Sequence, residues 1–84
     1  MKPQKILEEL EKFLISIGIN IEKAMGTVKG GFCRIREDLV IVINRKTPVE
    51  EQITVIVQAI HWNELDYSEL KPSMREYIDS FKEI

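Results

Sequence analysis

The sequence predicts an α+β fold: an N-terminal helix, a small antiparallel sheet of two or three strands, and two helices packed on one face of that sheet. Three observations predict it. Ile6, Leu7, Leu10, Phe13, Leu14 and Ile17 recur at helical spacing. Two short runs rich in β-branched residues, FCRIR at 32–36 and LVIVI at 39–43, are separated by Glu37-Asp38. Proline then opens two more helical patterns, at Pro48 and Pro72.

In the first helix Lys5, Glu8, Glu9, Glu11 and Lys12 take the outer face, with Pro3 at the entry and Gly18 at C′, which bounds it at about residues 4–17. Residues 19–31, INIEKAMGTVKGG, alternate weakly and hold three glycines, so a short edge strand near 19–24 and a glycine-punctuated turn are expected. The next two strands form a hairpin. A two-residue loop at Glu37-Asp38 lacks the Asn-Gly or Gly that such turns prefer. A three-residue loop with Asp38 left-handed is expected instead. That register sets Cys33 and Ile35 beside Leu39, Ile41 and Ile43 on the core face, and Phe32, Arg34, Val40 and Val42 on the other.

Thr47-Pro48-Val49-Glu50 reads as a capping box, with Thr47 at the N-cap and Glu50 at N3. Val49, Ile53, Ile56, Val57 and Ile60 form one stripe of that helix, and Val55, Ala59 and Trp62 a second on a neighbouring face. The last helix carries Met74, Tyr77, Ile78, Phe81 and Ile84 at helical spacing.

Eighty-four residues make one domain, 1–84. A chain of this size buries only about 60–65% of its unfolded surface, so disulfides, a metal or a partner subunit commonly add stability. A single cysteine rules out an intrachain disulfide, and no Cys/His cluster offers a metal site, which leaves a partner subunit. Hydrophobic residues at 44% and charged residues at 31% suit an ordinary globular protein. The charged N-terminal stretch is unlike a signal peptide, and the longest apolar run is too short to cross a bilayer. With a free thiol, this points to a cytoplasmic location and to no membrane partner.

The candidate sites are few. Cys33 and His61 form a thiol dyad only if the fold joins them, and the alternation places Cys33 in the core, where a thiol is inert. GTVKGG leads into a strand rather than a helix, unlike a phosphate-binding loop, so its glycines read as turn residues. Residues 23–47 hold six basic and two acidic residues, a net of +4 in a chain of net −2. Lys29, Arg34, Arg36, Arg45 and Lys46 are therefore candidate nucleic-acid contacts, although Phe32 is the one aromatic among them for bases to stack on. Phe32, Arg34, Val40, Val42 and Trp62 are the candidate interaction surface.

TPVEEQITVIVQAIHW, following a hairpin, resembles the active-site helix of bacterial zinc peptidases that cleave regulators, and residues 31–62 resemble a minimal zincin core. The HExxH positions of that family fall here on Gln58, Ala59 and Trp62. His61 lies one residue out of register, about 100° around the helix, with Val57 and Leu65 where a second ligand would be needed. The resemblance implies a zincin-like scaffold without the metal. Gly30, Gly31, Cys33, Pro48 and Glu50 also resemble a pattern in short bacterial proteins of unknown function, which implies a fold and no activity. The expectation is a non-catalytic interaction module without cofactor, self-associating or bound to a protein partner, with a nucleic-acid-binding accessory protein as the alternative.

Overall fold

The computed structural model describes residues 2–81. The elements run α1 (Pro3–Ser16), β1 (Asn20–Ala24), β2 (Gly31–Ile35), β3 (Asp38–Asn44), α2 (Val49–Trp62) and α3 (Pro72–Asp79). This is the expected α+β architecture, and of the two sheet sizes expected the three-stranded one forms, since residues 20–24 join as an edge strand. Ile84, expected in the last helix, lies outside the described residues.

α1 buries Ile6, Leu7, Leu10, Phe13 and Leu14, as its spacing requires. It ends one residue earlier than expected. Ile17 is the C-cap and Gly18 adopts φ +83°. The N–H of Gly18 donates to Ile15 O and that of Ile19 to Leu14 O, each at 3.0 Å, the paired bonds of a Schellman turn. Ile17 is consequently half exposed rather than part of the stripe.

The sheet order is β1-β3-β2. β2 pairs antiparallel with β3, but β1 runs parallel to it, so the sheet is mixed where an antiparallel one was expected. Residues 25–30 cross the end of β3 and deliver β2 to its far side. The buried Asn44 holds that crossing: its Nδ2 donates to Gly26 O at 3.0 Å and Val28 O at 2.6 Å, and its Oδ1 accepts from Lys46 N at 2.9 Å.

The hairpin register differs from the expected one by a residue. Ile35 pairs with Asp38, leaving a two-residue loop, Arg36-Glu37, in which Arg36 takes φ +61°. Phe32 therefore pairs with Ile41 and Arg34 with Leu39, on the face toward the helices. Cys33 pairs with Val40, on the opposite face. Left-handed Arg36 spends backbone strain that Asn or Gly would avoid. In exchange, the exposed Cys33 and Ile35 leave the core to Leu39, Ile41 and Ile43.

The capping box does not form. The Thr47 hydroxyl donates to Asn44 O at 2.7 Å, and α2 starts at Val49 with Pro48 as its N-cap residue and no side-chain cap. α2 still buries Ile53, Ile56, Val57, Ala59 and Ile60, and packs between α1 and strands β2 and β3. Of the second stripe Ala59 is buried, Val55 partly so, and Trp62 is 80% exposed. α3 adds Met74 and Ile78 to the same core. Among the described residues no helix is long and apolar enough to cross a membrane.

Candidate functional site

Leu39, Ile41 and Ile43 face the helices and are at most 5% exposed. The alternate residues of β3, namely Val40, Val42 and Asn44, face the other way. Paired positions share a face, so Asn20, Glu22 and Ala24 of β1 and Gly31, Cys33 and Ile35 of β2 lie beside them. Both helices that pack on the sheet, α1 and α2, lie on the core side. Val40, paired with Asn20 and Cys33, is buried, while Cys33 and Ile35 are exposed, the latter at 59%.

The expected interaction surface thus divides. Val40 and Val42 belong to the uncovered face. Phe32 and Arg34 belong to the helix side, where the Phe32 ring lies 6.5 Å from that of Trp62. Cys33 and Ile35, assigned to the core by the expected register, replace them on the uncovered face. β2 is the edge at which the exposed Cys33 and Ile35 of one face meet the half-buried Phe32 and its exposed neighbour Trp62 on the other.

The basic residues divide as well. Arg34 and Arg36 sit at the hairpin end of the sheet with Glu37 and Asp38, and Arg34 Nη1 donates to Glu37 O at 3.0 Å. Lys29, Arg45 and Lys46 sit near the opposite end of β3. Seven strand residues at about 3.3 Å each separate the ends by roughly 20 Å. Lys23 is tied by its Nζ to Glu11 Oε1 at 2.8 Å.

His61 is half buried, and its Nε2 lies 2.8 Å from Ile78 O. A carbonyl can only accept, so Nε2 carries the hydrogen and clips α2 to α3. Its ring stands edge-on to Tyr67, with centroids 6.0 Å apart. Cys33 faces away from this side, so the dyad is not assembled. Gln58 and Trp62, at two positions of the zinc motif, are exposed, and Ala59 at the third is buried. Among the described residues no three His, Cys, Asp or Glu side chains come together to hold a metal.

A cleft of about 530 Å³ lies between the 63–71 connector and α3, lined by Asp66, Tyr67, Arg75, Glu76 and Asp79 among others. The Tyr67 hydroxyl donates to an Asp79 carboxylate oxygen there, and that bond, with lesser effects of burial and charge, pushes the phenol up to about 12. Backbone and side-chain bonds from Ser68 hold the Asp66 carboxyl below its usual value. These bonds serve to order the connector. At the crossing, the carbonyls of Gly26 and Val28 converge on Asn44, the reverse of the N–H groups that cradle a phosphate.

No family model, no curated protein and no solved structure matches this chain.

Proposed function

We propose that the chain is a small non-catalytic interaction module that associates with a second copy of itself through its sheet. The observation that supports this is the exposed apolar surface along β2: Phe32 lies beside the exposed Trp62 on the helix side, and Cys33 and Ile35 stand exposed on the face turned from the helices. Apolar surface grouped in this way on so small a domain gains most by meeting more apolar surface. A free exposed thiol on that face suits a reducing compartment such as the cytoplasm. The basic residues, divided between two ends of the sheet, give a nucleic acid no single groove to follow, so self-association is the better-supported function.

The test is the solution mass by light scattering over a range of protomer concentrations, at two salt concentrations, with and without short RNA and DNA. A salt-resistant dimer whose thermal midpoint rises with concentration is expected. A monomer throughout sinks the proposal. A mass that shifts only with nucleic acid at low salt replaces it with the alternative of a basic nucleic-acid-binding hairpin.

A further inference from the structure

Resting on that proposal, the geometry points to where the second copy joins: the free edge of β2, antiparallel, about a two-fold axis at Cys33, so that two three-stranded sheets become one of six. Of the two edge strands, β1 presents Glu22 and the ion-paired Lys23, whereas β2 has no proline and only one charge, Arg34. Among the described residues, the backbone of residues 31–35 bonds to β3 alone.

The hydrogen-bond phase of this edge follows from the hairpin. Residues that flank a two-residue loop form a hydrogen-bonded pair, here Ile35 and Asp38. The ladder to β3 therefore falls on Ile35, Cys33 and Gly31. The N–H and C=O groups of Phe32 and Arg34 point to the free edge. An axis at Cys33 pairs Phe32 of one copy with Arg34 of the other and satisfies all of these groups reciprocally. An axis at Arg34 would oppose two arginines, and one at Phe32 would set Arg34 against Gly30.

Three further features fit the Cys33 axis. Ile35 falls opposite Gly31 of the other copy, where a Cβ would meet nothing within 4 Å, so the isoleucine enters open space beside Val42. Arg34 comes alongside the Phe32 ring of the other copy, next to its exposed Trp62, in the range of a cation–π contact. Continuing the register sets Arg36 opposite the uncharged Gly30 of the other copy and brings Glu37 toward its Lys29, twice by symmetry, a complementary pair of charges at each end of the joined strands.

The test oxidises the full chain with diamide, which takes two electrons and two protons from a pair of thiols. Cys33 would face its copy as a non-hydrogen-bonded pair with Cα atoms about 4.5 Å apart, inside the span of a disulfide. Rapid formation of a covalent dimer is expected. Arg34→Pro removes an outward N–H and the exposed side-chain bond to Glu37 O but no ladder bond to β3, and should leave a folded monomer. Lys29→Glu and Glu37→Lys should each weaken the dimer about tenfold, and the double variant should restore it. If Arg34→Pro fails to fold by circular dichroism, the charge exchange decides alone. A dimer by light scattering that neither cross-links nor responds to these changes overturns the β2 edge and leaves self-association standing. A monomeric parent chain overturns both.

Discussion

The Nδ2 of Asn44 donates to Val28 O at 2.6 Å, joining the last residue of β3 to the loop that crosses it. Asn44 is 6% exposed and satisfies Gly26 O and Lys46 N as well, so one side chain closes three backbone groups. Asn44→Ala is expected to lower stability by about 2 kcal/mol, the scale of leaving buried polar groups unpaired. Asn44→Asp keeps the acceptor for Lys46 and loses both donors, and should fall nearly as far. Urea unfolding measures this, and hydrogen exchange should localise the loosening to residues 25–30. A wild-type midpoint for Asn44→Asp would remove the carbonyl-clamping role.

Gly30 and Gly31 are adjacent yet should respond differently to a methyl group. A Cβ on Gly30 would lie 3.1 Å from Val42 O and 3.3 Å from Val55 Cγ2, while one on Gly31 has free space. Gly30→Ala should cost about 1–2 kcal/mol by overpacking. Gly31→Ala should stay within about 0.5 kcal/mol of the parent when both are measured as monomers at high dilution. Val55→Ala added to Gly30→Ala removes one of the two crowding atoms, and partial recovery there would identify the clash.

Glu64 closes α2 at φ +51°, with its N–H donating to His61 O at 3.2 Å and Leu65 N–H to Ile60 O at 3.0 Å. This is the same turn that ends α1, made with a residue that pays strain for the conformation. Glu64→Gly should raise stability by about 0.5–1 kcal/mol. Glu64→Val should lower it, because a β-branched side chain crowds the left-handed region further. Equal midpoints for the two variants would show that strain at this turn is not felt.

Tyr67 should make stability depend on alkaline pH. Its phenol, raised from 10 to about 12 chiefly by donating to Asp79, is more readily ionised in the unfolded chain. The stabilisation is fully present below pH 10 and is lost as pH rises toward 12. Tyr67→Phe should therefore lose less stability than the parent between pH 9 and pH 11.5. Tyr77, raised mainly by burial and then by the charge of Glu50, remains in that variant and supplies the residual slope. Parallel decline of parent and variant would show that the Tyr67–Asp79 bond contributes nothing to folding.

The sequence by itself determined the elements and most of the core. The stripes of α1 and α2 name their own buried faces, because the 3.6-residue period and burial of one face are local consequences of the chain. Gly18 marked a helix end because its freedom at positive φ is intrinsic to the residue. The run at 39–43, rich in β-branched residues, marked a strand, and that strand is β3.

Tertiary structure decided the register, the strand order and the candidate surface. Glu37 and Asp38 gave no preference strong enough to fix the loop. The choice of Arg36 as its left-handed residue came from the pairing of β2 with β3, which outweighs a local strain of about 1–2 kcal/mol. That one-residue difference exchanged Phe32 and Arg34 for Cys33 and Ile35 on the uncovered face, since strand side chains alternate with period two. β1 runs parallel to β3, and the loop that follows it is held by Asn44 through carbonyls 16 and 18 residues earlier in the chain, partners no local pattern names. Thr47 turned from the helix it was expected to cap because the Asn44 carbonyl stood within reach. Local period is written in neighbouring residues; which face meets which depends on partners that only the folded chain brings together.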